Sequence, residues 1–209
     1  FGLFIIMRRV AAIAFPILSL KLGISLSKFG YFDSSKFLFQ SIGILIFNHI
    51  CLLLIILFLP NQFSIMIFGE AKYAELLLIL VIYIFSYSLH SLVHGYYRGI
   101  MKIGRMNMLV ILFNMVALLA VVLFKTINAL QNYFLVVTLI NIVICLIYLW
   151  NPFMLLKKNE NNEKKILFKS FISYGIIRLP SGFFFSGLLF APIFVATQWI
   201  SLEVAGHIG

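Results

Sequence analysis

The sequence predicts an all-α protein, a polytopic transmembrane helical bundle of about six spans. Three observations carry that prediction. The residues are 63% hydrophobic and only 11% charged, against about 25% charged in soluble domains, and the mean hydropathy is +1.11. The apolar residues fall in runs near twenty long, the length a helix needs to cross a hydrocarbon core. The charged residues fall mostly between those runs, whereas the strands of a membrane barrel would alternate apolar and polar positions in shorter segments.

Taken in order, the spans are placed at about 3–22, 41–59, 76–94, 106–124, 130–149 and 171–198. The first ends at a Leu22-Gly23 turn, followed by a basic amphipathic loop. The second ends at Pro60-Asn61 and the fifth at Asn151-Pro152, both turn-forming pairs. The third is followed by the Arg98-Gly99 connection. A short connection around Lys125 separates the fourth from the fifth. The sixth is long and interrupted by Arg178, Pro180 and Pro192.

The loops sort by charge. One set holds Lys28 and Lys36, then Arg98, Lys102 and Arg105, then Lys157, Lys158, Lys164, Lys165 and Lys169; the alternate set holds Lys72 and Lys125. This bias puts the first set in the cytoplasm, so the first helix runs inward and the last outward. It also accounts for the net charge of +10 without nucleic acid. The polar stretch KKNENNEKK at 157–165 divides the chain. Residues 1–150 make five helices of an N-terminal lobe, 151–169 a basic cytoplasmic linker, and 170–209 the first helix of a C-terminal lobe. Because it begins FGLF and stops at AGHIG in mid-pattern, the chain reads as an internal piece of a longer protein. Cys51 and Cys145 lie in apolar runs and read as buried thiols; no disulfide, metal or cofactor is expected.

The candidate chemistry begins with what the spans lack. Asp33, Glu70, Glu75, Glu160, Glu163 and Glu203 all fall in loops or at span ends. Ion-coupled exporters of cations usually need an intramembrane carboxylate. Intramembrane cations do occur: Arg8 and Arg9 about two turns into the first span, Arg178 about two turns into the last. An Arg at mid-bilayer costs roughly 2.5–3.5 kcal/mol on insertion scales, so such residues usually face a wet cavity or a partner. An anionic substrate is a natural counter-charge, and the guanidinium fork suits phosphate or diphosphate. Snorkelling to headgroups is the competing account. Adjacent helical residues point about 100° apart, so Arg8 and Arg9 are not expected to face one cavity together.

The third span carries the clearest pattern. Tyr83, Tyr87, His90, His94 and Tyr97 recur at steps of four, three, four and three, on one helical face. Aromatic groups with polar tips suit sugar rings; interhelical hydrogen bonding is the alternative. His90 and His94 form H-x-x-x-H, but Ser91 stands where a zinc protease needs Glu, so that site is rejected. Thr138, Asn141, Cys145 and Tyr148, together with Asn107 and Asn114, extend a polar interior inside an apolar shell.

Three stretches together carry a family resemblance: FGLF…FPILSLKLGISLSKF, IMIFGEAKYAELL…GYYRGIMKIGRMNM and SYGIIRLPSGFFFSGLLFAPIF…LEVAGHIG. In this order they resemble bacterial Wzx-type flippases, the polysaccharide biosynthesis membrane proteins of the MATE-like (MOP) superfamily. The resemblance implies a two-lobe transporter of which this chain supplies helices two to seven, with Phe1-Gly2 and Ala205-Gly206 as equivalent points in the two lobes. It implies a flippase, not an enzyme, in the bacterial inner membrane. Such a protein moves an isoprenoid-diphosphate-linked oligosaccharide from the cytoplasmic to the outer face for lipopolysaccharide or capsule synthesis. The implied partners are that lipid-linked oligosaccharide and membrane lipids, with glycan polymerase machinery as a candidate neighbour and no nucleic acid. Arg178 and one of Arg8 or Arg9 would hold the anionic part; Tyr83, Tyr87 and His90, with His94 on the same stripe, would line the sugar path, and Pro180 would permit a bend. The rival functions are an ion-coupled multidrug exporter of the same fold, a membrane glycan polymerase and a non-transporting scaffold. The short outer loops near 60–75 and 125–130 count against the polymerase.

Overall fold

The computed structural model describes residues 2–123, 129–156 and 168–200; the side chains at 30–34, 121–123, 129, 185 and 189 lie outside that description. Every element among the described residues is helical: α1 (Gly2–Leu18), α2 (Leu22–Phe58), α3 (Pro60–Phe68), α4 (Glu75–Gly99), α5 (Ile103–Leu123), α6 (Ala129–Leu156), α7 (Phe168–Ile177) and α8 (Leu179–Trp199), with a 3-10 turn at Ala71–Tyr73. Among the described residues, four segments are each long and apolar enough to cross a membrane: Ser35–Phe58, Glu75–Gly99, Ile103–Ala120 and Leu130–Leu156. Two bent pairs raise the number to as many as six. The protein is an all-α, polytopic membrane bundle.

At 37 residues, α2 would extend about 55 Å if straight. It is not straight. The Asn48 side-chain amide donates to the Leu18 carbonyl at 2.8 Å, although a straight helix would separate Leu22 from Asn48 by about 39 Å. Leu22–Phe29 and Ser35–Phe58 are therefore two limbs of a hairpin. Lys28 and Lys36, expected in a loop, sit on helical limbs either side of the reversal.

The first limb continues α1 after a 54° bend. The bend falls at Ser19–Lys21, not at Leu22-Gly23 as the sequence suggests. Pro16 denies the preceding turn a hydrogen bond, and Leu20 and Lys21 take left-handed backbone angles, φ 47° and 54°. Gly23 instead lies inside the helix and serves packing. A Cβ on Gly23 would sit 2.6 Å from the Ser91 carbonyl oxygen, and one on Gly95 would sit 2.1 Å from that of Gly23. Small residues four apart on α4 thus let the two backbones touch. α4 is the centre of the bundle, packed by α1, both limbs of α2, α5 and α6.

Pro60 does end the second span, and it opens α3, where a missing N–H is tolerated. The expected outer loop at 60–75 is therefore mostly helical, closed by Gly69 at φ 81°. The Gln198 side-chain amide donates to the carbonyls of Ile65 (3.1 Å) and Met66 (2.9 Å), tying the end of α8 to α3. Asn151-Pro152 is not a stop: α6 runs through it to Leu156, with Pro152 buried. Pro180 falls in the first turn of α8 and bends little. The 50° bend lies between Phe168–Leu188 and Phe190–Trp199, where the ring of Pro192 meets the carbonyl of the residue four before it. Of the two prolines expected to interrupt this span, Pro192 lies at the bend and Pro180 does not.

Phe47, Phe58, Leu118, Ile147, Leu188 and Trp199 are all more than half exposed, which suits a surface facing lipid or further membrane helices. Phe1, Lys125, Lys157, Lys158, Glu160, Glu163, Lys164, Lys165, Glu203 and the Ala205-Gly206 pair lie outside the described residues.

Candidate functional site

Between α1 and α4 lies a cavity of about 250 Å³, lined by Arg8, Arg9, Tyr83, Tyr87, Phe4 and Ala12 among others. Helical spacing puts Arg8 near Phe4, and its guanidinium carbon lies 5.6 Å from the Phe4 ring centroid. Tyr133 from α6 meets the same Phe4 ring edge-on at 5.3 Å. Tyr83 is buried and meets Phe134 edge-on at 4.8 Å. Tyr87 is held between Phe15 and Phe113, each at 5.2 Å. Packing therefore fixes both rings, leaving the cavity lining to their faces and hydroxyls.

Both arginines line the cavity, against the expectation that one would point away. The 100° between them separates their Cβ directions only. Their side chains are long, and the neighbouring Ala11 and Ala12 leave room for both to reach the same space.

His90 and His94 keep to the predicted face of α4, stacked at 6.1 Å, and His90 packs 4.3 Å from Phe113 on α5. They lie beyond the cavity, towards the basic end. Tyr83, Tyr87, Phe113, His90 and His94 form a continuous aromatic row along α4. Tyr97 leaves that row: its hydroxyl donates to the Tyr148 carbonyl on α6 at 2.7 Å, an interhelical hydrogen bond. Among the described residues no group of three His, Cys, Asp or Glu is placed to hold a metal.

Thr138, Asn141 and Cys145 are buried. The Thr138 hydroxyl and both polar atoms of the Asn141 amide are without a hydrogen-bond partner among the described residues. Asn107 and Asn114 are exposed and so do not belong to the interior the sequence suggested.

The structure does not bring Arg178 to Arg8 and Arg9. Arg178 sits at the α7–α8 junction, exposed, its guanidinium carbon 4.5 Å from the Tyr174 ring centroid. α7 packs at the level of the α1–α2 bend, since a Cβ on Gly175 would lie 2.4 Å from the Leu20 carbonyl oxygen. Spacing also fails to flag Lys21, whose ammonium lies against Gly182 of α8, and Tyr174. The sequence signal for Lys21 is a lysine inside an apolar run, five residues after Pro16.

Comparison of the chain with family models, with curated proteins and with solved structures returns no match.

Proposed function

We propose that this chain belongs to a transmembrane flippase that moves an isoprenoid-diphosphate-linked oligosaccharide from the cytoplasmic to the outer face of the bacterial inner membrane, for cell-surface polysaccharide synthesis. One observation carries the reading: two guanidiniums and two phenols line a single cavity between apolar spans. Guanidiniums inside a bilayer need counter-charge. The carboxylates among the described side chains, Glu70 and Glu75, do not line the cavity. A diphosphate supplies several acceptor oxygens to match two forks of parallel N–H donors.

At about 250 Å³ the cavity falls below the ~300–1,000 Å³ of pockets for drug-sized ligands. It therefore takes the polar head of a ligand, not a whole oligosaccharide. In this account Arg8 and Arg9 both hold the anion, Tyr83 and Tyr87 receive the first sugar, and the row through Phe113 to His90 and His94 continues the polar aromatic path. The glycan-lipid class comes from the family resemblance; the site's chemistry supports an anion joined to a polar ring. A cation exporter is disfavoured, because its substrate would meet two positive charges here.

The test uses the full chain in cells lacking their own flippase. Arg8→Ala and Arg9→Ala are made separately, and surface glycan is measured beside cytoplasmic-face lipid-linked precursor at equal protein level. Each is expected to lower surface glycan by about tenfold or more, since a hydrogen bond to a charged group contributes about 1.5–3 kcal/mol, while precursor accumulates. Normal export by both variants overturns the proposal.

A further inference from the structure

We propose a second anion site, separate from the Arg8–Arg9 cavity, at the basic end of the bundle between α7 and the first limb of α2: it takes the phosphate of a lipid headgroup. The proposal goes beyond the flippase reading, because it requires no transport.

The helical spacing of α7 brings Lys169, Ser170, Ser173, Tyr174 and Ile177 to a groove of about 320 Å³ whose opposite wall is Phe29. Phe29 meets Tyr174 edge-on at 5.6 Å and Phe171 at 6.2 Å. Phe171 is fully buried and stacks on Phe37 of the second α2 limb at 4.8 Å. The aromatic floor is therefore anchored in the core.

Two cations rest against the Tyr174 ring beside the groove, without lining it. The Lys28 ammonium lies 4.0 Å from the Tyr174 ring centroid and the Arg178 guanidinium carbon 4.5 Å from it. Laid end to end these distances put the two charges within 8.5 Å of each other. Both side chains are exposed, and Lys169 adds a third positive charge at the groove. Among the described residues the ion pair formed is Lys72 with Glu70, which lies at the other end of α4.

Like charges gathered on one ring repel unless an anion joins them. The ring faces explain why Lys28 and Arg178 rest there, but not why Lys169 lines the adjoining groove as well. A phosphate fits the set: its oxygens accept from an ammonium, a guanidinium and the hydroxyls of Ser170 and Ser173. Phe29 and Ile177 line the same groove with apolar surface suited to the first carbons of a lipid tail. By the charge bias of the loops this end faces the cytoplasm, where anionic headgroups attract basic residues.

The test uses the full chain, purified and delipidated, with bound lipid counted by native mass spectrometry. The probes are phosphatidylglycerol, phosphatidylcholine, inorganic phosphate and an isoprenyl diphosphate. Wild type is expected to retain phosphatidylglycerol over phosphatidylcholine. Lys28→Met with Arg178→Met should lower that preference by about tenfold, the loss expected from one charge-assisted hydrogen bond or more. Lys28→Arg with Arg178→Lys, and Arg8→Ala, should keep it. Ser170→Ala with Ser173→Ala, which leaves the charge intact, should weaken it severalfold and guards against a folding defect in the methionine pair.

Displacement of phosphatidylglycerol by the isoprenyl diphosphate assigns the site to the transported lipid; resistance to displacement assigns it to bulk anionic lipid; either supports a lipid phosphate. Equal retention of the two phospholipids by wild type overturns the proposal. So does retention unchanged in the methionine pair, or full displacement by inorganic phosphate at equal concentration. Asp33, five residues from Lys28 in sequence, is checked by Asp33→Asn. A preference that arises only in that variant means a resident carboxylate fills the site, and the proposal fails.

Discussion

Replacing Gly95 by Ala should loosen the centre of the bundle. The new Cβ would lie 2.1 Å from the Gly23 carbonyl oxygen, 2.7 Å from its carbon and 2.8 Å from its Cα. An ordinary C···O approach is about 3.3 Å or more, so α2 and α4 must part by roughly 1.2 Å at this crossing. The obstacle is backbone, so no side-chain rotation relieves it. The separation also strips contact from Leu22, Leu26, Leu92 and Val93, all buried in the same cluster. A gap of about 1 Å forfeits up to about half of a van der Waals well, and overpacking a well-filled core costs about 1–3 kcal/mol, sometimes more. The expected loss is about 3 kcal/mol. The assay is thermal unfolding of the purified full chain with Cys51 replaced by Ser, read by reaction of the buried Cys145 thiol with a fluorogenic maleimide. Gly43→Ala and Gly104→Ala are the controls: a Cβ at either meets nothing within 4 Å, and Ala favours a helix by about 1 kcal/mol over Gly. Gly95→Ala should unfold about 6–12 °C lower, the controls at or above wild type. If Gly95→Ala melts with the controls, the α2–α4 seam described above is wrong.

Two further predictions follow from particular residues. Asn141→Leu should raise thermal stability by about 1 kcal/mol, because it removes buried polar atoms without partners; a loss of stability would mean that water or a further helix satisfies the amide. Pro192→Ala should straighten α7–α8. With limbs of about 31 and 15 Å at 1.5 Å per residue, removing the 50° bend lengthens the distance from 168 to 199 by about 4 Å, measurable between spin labels; an unchanged distance would place the cause of the bend elsewhere.

The all-α class, the shared helical face of Tyr83, Tyr87, His90 and His94 and the clustering of Lys28, Arg98, Arg105 and Lys169 at one end were legible because each rests on one-dimensional pattern: run length, helical period and alternation of charge. Breaks inside helices were harder to read. Pro16 acts through the left-handed backbone of Leu20 and Lys21, Pro192 bends the chain four residues upstream, and Pro180 scarcely bends it because it opens a helix. Gly23 resembled a turn residue, yet it is needed for the approach of a backbone distant in sequence. Tertiary proximity was the hardest part. Periodicity grouped Tyr83 with its own helical face and said nothing of Arg8, and shared chemistry set Arg178 beside Arg8 or Arg9, when α7 carries it to Tyr174 beside Lys28. The comparison of Arg8 with Arg9 failed for another reason: Cβ directions do not limit where long side chains end.

Thiol reactivity reports whether the Arg8–Arg9 cavity is wet and cationic. Ala12 lines it, while the adjacent Ile13 faces an apolar groove between α1, α2, α3, α4 and α8. In the full chain with Cys51 and Cys145 replaced by Ser, Ala12→Cys and Ile13→Cys are exposed in membranes to an anionic sulfonatoethyl and a cationic trimethylammonioethyl methanethiosulfonate. Two guanidiniums over a wet cavity concentrate anions and repel cations. The account predicts that the thiol at position 12 reacts with the anionic reagent about tenfold faster than with the cationic one, and faster than the thiol at position 13. It also predicts that a soluble isoprenyl diphosphate slows the reaction at 12 alone. Equal, slow reaction at both positions, or preference for the cationic reagent at 12, would contradict it.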